Sequence, residues 1–226
     1  AAVRDAFDGP EFVAEIKRRF GLDVQVLSGE EEAKLAAIGL LSGVSKADGV
    51  LGDLGGGSLD LVALNRGEFG EHGTLPLGHL RLAEVMEKGY DAAQNQIEKC
   101  LKELPWIRQA KGRTLYAIGG SWRSLARIFI DQIGHPLHVV DNFTLRQDEA
   151  LRLSNVIAGS SRDSLKRIPG IPRRRMETLS AASMVLETLI RVIEPKKLTF
   201  SGFGMREGQL LEILPDKLRG KDPLID

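Results

Sequence analysis

The sequence predicts an α/β layered fold with a mixed sheet flanked by helices. Short apolar strands alternate with segments of helical periodicity along most of the 226 residues. An early pair of strands is separated only by a tight turn at Asn65–Gly67, which requires antiparallel neighbours, so the sheet is not purely parallel. The length suits one large domain, or one and a half smaller ones, and a chain of this size buries roughly 70% of its unfolded surface.

Each element has its own local reason. Residues 10–20 form a helix starting at Pro10, with Phe12, Val13, Ile16 and Phe20 on one side, and Gly21 separates it from a short strand over Val24–Leu27. Ser28 stands three residues before Glu31, a capping box, and opens a helix on which Ala33, Ala36, Ala37, Leu40 and Leu41 repeat at helical spacing until about Gly43. Strands follow at Val50–Leu54 and Ser58–Leu64, joined by three glycines, and a third comes after the Asn65–Gly67 turn. Leu77–Met86 and Gln94–Leu104 read as helices, Leu115–Ile118 as a buried strand, and Ser121 as the cap of a helix reaching about Ile130. A strand is expected at Leu137–Val140 and a helix at Leu145–Ile157. Pro172 precedes a long helix to Ile193, and Leu198–Ser201 and Met205–Ile213 close the chain as strand and helix.

Composition excludes several classes. Lys plus Arg and Asp plus Glu number 31 each, so the formal charge is zero and no global field draws the chain to nucleic acid or to an anionic membrane. Basic residues and aromatics do not interleave around Trp106 or Trp122, so neither forms a platform for bases. Apolar residues at 42% and charged residues at 27% exclude disorder, and no apolar run approaches the ~18 residues of a membrane span. A lone cysteine, Cys100, fits a reducing cytoplasm, and the four histidines lack zinc-site spacing. The chain opens on Ala-Ala-Val-Arg without an initiator Met, which reads as a piece of something longer.

The most informative stretch is Gly52-Asp53-Leu54-Gly55-Gly56-Gly57-Ser58-Leu59-Asp60. Three glycines in a row cost backbone entropy, so they mark a turn with unusual dihedrals or one that lets a ligand approach. Successive N–H groups in such a turn offer a concave donor array to phosphate oxygens. Asp53 ends one strand and Asp60 lies in the next, where both could flank the cradle and hold Mg²⁺, a cation that accepts few carboxylates and shares phosphate oxygens. No Gly-Lys-Ser/Thr follows, so this is not a Walker loop.

The hairpin resembles the second phosphate loop of the actin-like, sugar-kinase and heat-shock chaperone superfamily. With Ser28-Gly29-Glu30-Glu31-Glu32-Ala33 upstream, Ala117-Ile118-Gly119-Gly120-Ser121-Trp122-Arg123 in the middle and Ser201-Gly202-Phe203-Gly204-Met205-Arg206-Glu207-Gly208 near the end, the chain is similar to the exopolyphosphatase and guanosine pentaphosphate phosphatase (Ppx/GppA) family over nearly its whole length. The resemblance implies a ribonuclease-H-like, actin/hexokinase-like fold. It makes residues 1–44 the end of a first actin-like domain and residues 45–226 the second, with the cleft between the two. It also implies that residues 1–226 alone are inactive.

By the same resemblance Glu32 is the base that activates water, Asp53 and Asp60 position Mg²⁺, and Gly55, Gly56, Gly57 and Ser58 hold the terminal phosphate. The family often has Glu where Asp60 stands. Helical geometry agrees on the base, since Glu31 is spent on the capping box while Glu32 lies at the edge of the Ala33–Ala36–Leu40 face. Gly119, Gly120 and Ser121 read either as an anion turn, with Arg123 as a phosphate contact, or as a close strand–helix junction capped by Ser121. Arg81 is a further contact for a chain of phosphates, and Arg173–Arg175 mark either an anion nearby or a solvated corner. Arg206 and Glu207 read as a local ion pair. The expected activity is Mg²⁺-dependent release of orthophosphate from the end of inorganic polyphosphate. The alternatives are hydrolysis of guanosine pentaphosphate, an actin-like or chaperone-type ATPase module, and a non-catalytic polyphosphate or alarmone sensor. Whether the protein is a homodimer is open.

Overall fold

The computed structural model describes residues 2–165, 167–168 and 173–215. Pro172 and the side chains of Arg173–Arg175, singled out from sequence, lie outside the described residues. Two helices open the chain, α1 (Ala2–Asp5) and α2 (Gly9–Phe20), and α3 (Gly29–Gly43) follows. The strands β1 (Gly49–Leu54), β2 (Leu59–Asn65) and β3 (Glu68–Leu75) form a meander, then come α4 (His79–Met86), α5 (Tyr90–Leu101) and a 3₁₀ segment over Pro105–Ala110. Strand β4 (Thr114–Ile118), helix α6 (Gly120–Gln132), strand β5 (Thr144–Arg146) and helices α7 (Gln147–Ala158), α8 (Arg162–Leu165) and α9 (Arg173–Ile193) lead to β6 (Lys197–Phe200) and α10 (Met205–Ile213).

The six strands make one sheet in the order β3-β2-β1-β4-β6-β5. Its centre, β1-β4-β6, is parallel, while β2, β3 and β5 pair antiparallel at the two sides. The β2–β3 turn has positive φ at both Arg66 and Gly67, as a tight two-residue hairpin requires. The sheet is mixed and flanked by helices, as expected.

Strand alternation divides the buried residues into two cores. Val50, Leu54, Leu59, Leu61, Leu115 and Ala117 face a large core completed by α5, α6, α7 and α9. Leu51, Val62, Leu64, Tyr116 and Ile118 face the opposite way, onto Ala33, Ala36, Ala37 and Leu40 of α3. Helix α3, which the sequence places before residue 44, therefore shares a core with the strands that follow it. Its capping box forms as expected: the Ser28 hydroxyl accepts the Glu31 amide at 3.1 Å, and the Glu31 carboxylate accepts the Ser28 amide at 2.7 Å. Helix α10 lies against α3 with backbones touching, because a Cβ at Gly39 would fall 2.0 Å from the Gly204 carbonyl oxygen, and one at Gly208 would fall 1.9 Å from that of Leu35.

Two expected strands are not formed. Residues 24–27 and 137–140 lack regular structure, and their apolar side chains (Val24, Val26, Leu137, Val139) are exposed. Alternating valines favour a strand only where an edge is available to pair with. The edge beside β6 is taken instead by Thr144–Arg146, which delays the next helix to Gln147. Ser121 is not a cap either. Helix α6 starts two residues earlier, with Gly119 at the N-cap position and no capping side chain, which leaves Ser121 inside the first turn and buried.

Candidate active site

The alternation that puts Leu51, Val62 and Leu64 under α3 puts Asp53 and Asp60 on that same face, and the register pairs them directly across β1 and β2. Asp60 is buried and receives hydrogen bonds from Thr74 Oγ1 (2.6 Å) and Ser58 Oγ (3.3 Å). Glu32 lies in the first turn of α3, close enough for its charge to act on both aspartates. Burial pushes the Asp53 carboxyl up to about 7, with Asp60 and Glu32 adding to the rise and Arg123 opposing it. Burial also raises Asp60; the Glu32 charge adds to this, while the Thr74 and Ser58 hydrogen bonds and Arg4 counter it.

Glu32, Asp53, Gly55, Gly56, Gly57, Ser58 and Asp60 line one cleft of about 480 Å³. Within the bend, the Gly55 amide is spent on the Ser58 carbonyl at 3.0 Å. The amides of Gly56, Gly57 and Ser58 have no acceptor among the described residues. None of the three glycines has positive φ, so unusual dihedrals are not why they are there. A Cβ at Gly55 would meet nothing closer than 3.5 Å and one at Gly56 only the end of Leu80 at 3.0 Å, whereas one on Gly78 would fall 2.2 Å from the Gly56 oxygen, so the turn before α4 packs backbone to backbone against the bend.

The second glycine turn has a different geometry. Gly119 has φ +97°, and a Cβ there would fall 2.7 Å from the Leu54 oxygen and 2.8 Å from Asp53 Oδ1. It is a wall behind Asp53. Gly119, Gly120, Ser121 and Arg123 are not among the residues lining the cleft. Arg123 donates to the Gly202 carbonyl at 2.8 Å, and Asp141 Oδ1 accepts the Gly202 amide at 2.8 Å and the Ser201 hydroxyl at 3.0 Å. These bonds fix the loop before α10 and bring Met205 to the cleft. The Glu207 carboxylate, read from sequence as an ion-pair partner of Arg206, accepts the Gly204 amide at 2.8 Å.

Sequence reasoning missed the contribution of α1. Arg4 donates to Glu32 Oε2 at 3.1 Å and to the Leu27 carbonyl at 2.9 Å, Asp5 pairs with Arg81, and Ala2, Asp5 and Ala6 line the cleft. No spacing links residues 4 and 32, so only the folded chain reveals the pair. Among the described residues no group of three His, Cys, Asp or Glu is arranged to hold a metal. Among the described residues, the Asp53–Asp60 pair is the candidate share of a cation site. Two hard oxygen donors side by side, the Asp60 charge raising the Asp53 carboxyl, fit Mg²⁺ completed by water and phosphate oxygens.

A mixed sheet carrying a glycine bend and acidic strand ends over one cleft defines an actin-like fold of the phosphate-handling class. The chain belongs to the Ppx/GppA phosphatase family, whose model matches residues 1–217. It is 28% identical to Retrograde regulation protein 2 of Saccharomyces cerevisiae, over 99% of this chain and 42% of that protein. It is 25% identical to a guanosine-5'-triphosphate,3'-diphosphate pyrophosphatase of Aeromonas hydrophila, over 95% of this chain and 44% of that one. The chain thus spans less than half the length of these curated relatives. Among solved structures it superposes on an exopolyphosphatase of Cytophaga hutchinsonii (TM-score 0.83, 22% identity, 92% of this chain and 71% of that one) and on the Aquifex aeolicus PPX-GPPA enzyme (TM-score 0.74, 24% identity, 93% and 72%). These likenesses establish the fold.

Proposed function

We propose that the full-length protein is an exopolyphosphatase, releasing orthophosphate from the end of inorganic polyphosphate with Mg²⁺, and that guanosine pentaphosphate is the alternative substrate. One observation carries the reading: the bend residues Gly56, Gly57 and Ser58, whose amides have no acceptor among the described residues, line the same cleft as Glu32, Asp53 and Asp60. Phosphoryl transfer asks little covalent help of a protein and much positioning and charge neutralisation. The amides of Gly56, Gly57 and Ser58 receive the terminal phosphoryl oxygens. Glu32, with one oxygen held by Arg4, orients a water molecule and takes its proton as the water oxygen bonds to the terminal phosphorus. The bond from that phosphorus to the bridging oxygen breaks, and the shortened chain leaves as an anion. Asp53 and Asp60 would hold Mg²⁺, which when bound offsets charge on the phosphoryl oxygens.

Phosphate release by the full-length protein from long polyphosphate and from guanosine pentaphosphate, measured side by side, tests this. Release from the polymer alone supports the first choice, and release from the nucleotide alone replaces it with the alternative. A second reading draws on the yeast relative, whose name describes regulation: a sensor that binds polyphosphate or an alarmone without turnover. Saturable binding with no phosphate release from either substrate would establish it.

A further inference from the structure

Counted by charge, the residues lining the cleft are poorly suited to an anion. Among the described residues that line it, five carboxylates (Asp5, Glu32, Asp53, Asp60 and Glu84) face a single cation, Arg81. Metal binding at Asp53 and Asp60 would answer part of that imbalance, at the cleft floor. Arg81 answers it at the rim, and its position relative to the bend is set by backbone contacts. The amides of His79 and Leu80, in the first turn of α4, donate to the carbonyls of Gly55 (3.1 Å) and Gly56 (3.0 Å), and Gly78 has no room for a side chain against Gly56. The guanidinium therefore stands one residue beyond a turn bolted to the phosphate cradle. Its partner is the Asp5 carboxylate, brought by α1 from 76 residues away. Both side chains are about half exposed, at 45% and 42%, and such a pair is worth little and exchanges readily. The planar guanidinium of Arg binds two oxygens of a carboxylate or of a phosphate through parallel hydrogen bonds, so a phosphate can take the place the carboxylate holds.

We propose that Arg81 is a specificity residue that binds the phosphate next to the terminal one, and that Asp5 occupies its guanidinium until a polyphosphoryl ligand displaces it. This rests on the reading that the bend takes the terminal phosphoryl group. A ligand with one phosphate fills the bend and leaves the Arg81–Asp5 pair closed. A ligand with two or more opens it. The cleft then selects phosphoanhydride chains over monophosphates by a contact remote from the reacting phosphorus.

Calorimetric titration of the full-length protein with magnesium tripolyphosphate and with orthophosphate tests the assignment. Arg81→Gln should weaken tripolyphosphate binding about tenfold or more and leave orthophosphate binding within about twofold, with Arg81→Lys in between. Asp5→Asn should tighten tripolyphosphate binding about threefold, a gain that misfolding does not mimic. That gain should vanish in the Arg81→Gln background if Asp5 acts through the guanidinium rather than through general repulsion. Undiminished tripolyphosphate affinity in Arg81→Gln, equal weakening of both ligands, or no tripolyphosphate binding by the unmodified protein would each overturn the proposal. Failure of the hydrolase reading alone looks different: binding and its dependence on Arg81 persist while no orthophosphate is released.

Discussion

The two glycine turns, at residues 55–57 and 119–120, look alike in sequence and differ in the fold. The first keeps ordinary φ, leaves amides unspent and borders the cleft. The second needs φ +97° at Gly119, where a Cβ would be pressed against Leu54 and the Asp53 carboxylate. Glycine serves access in one and packing in the other. In this chain the turn at Gly119 backs the acid that borders the open one.

The difference can be tested by substitution, beginning with the largest expected effect. On the open side, Glu32→Ala in the full-length protein should lower kcat by roughly 10²–10⁴-fold with little change in Tm, as measured by phosphate release and thermal unfolding. Unchanged turnover would remove Glu32 as the base. On the packed side, Gly119→Ala forces a Cβ into positive φ and against two oxygens, and should cost about 3 kcal/mol, roughly 6–12 °C of Tm in a chain this size. Gly56→Ala meets only the flexible end of Leu80 at 3.0 Å, so its fold should survive within about 1 kcal/mol while phosphate binding weakens. Equal Tm losses in the two variants would erase the contrast.

The last expected effect concerns pH. An unfolded aspartate titrates near about 3.9, whereas Asp53 is pushed up to about 7 in the fold. Between those values the native state holds a proton that the unfolded state has lost, so metal-free protein should lose stability as pH rises from about 4 to about 7. Asp53→Asn removes that slope. It should raise the unfolding free energy above pH 7 by an amount on the order of 1–3 kcal/mol, and Tm with it, while abolishing turnover, so the acid is kept at a cost in stability. A lower Tm in Asp53→Asn at pH 8 would show that the carboxylate is held by partners rather than strained by burial.

Much of this was legible before any coordinates. Ser28 and Glu31 announce the start of α3 because a capping box is a local contract between backbone and side chains three residues apart. The glycine run and its flanking acids are equally local, and they sit where the strands end. The exposed valines near residues 24–26 and 137–139 misled because strand propensity says nothing about whether a partner edge is free. Ser121 misled because a cap depends on where the helix begins, and the Gly119 conformation moves that start by two residues.

Local chemistry was thus written in the sequence by itself: the capping box, the hairpin, the alternation that aims Asp53 and Asp60 at one face, and the family these motifs define. Only the tertiary structure decided which groups meet. It brought Glu32 over the aspartates, Arg4 to Glu32, Asp5 to Arg81, and Gly119 behind Asp53. The physical reason is that the first set depends on periodicities of two to four residues. The second depends on helix α3 and the short α1 being laid across the end of a sheet built from strands far along the chain.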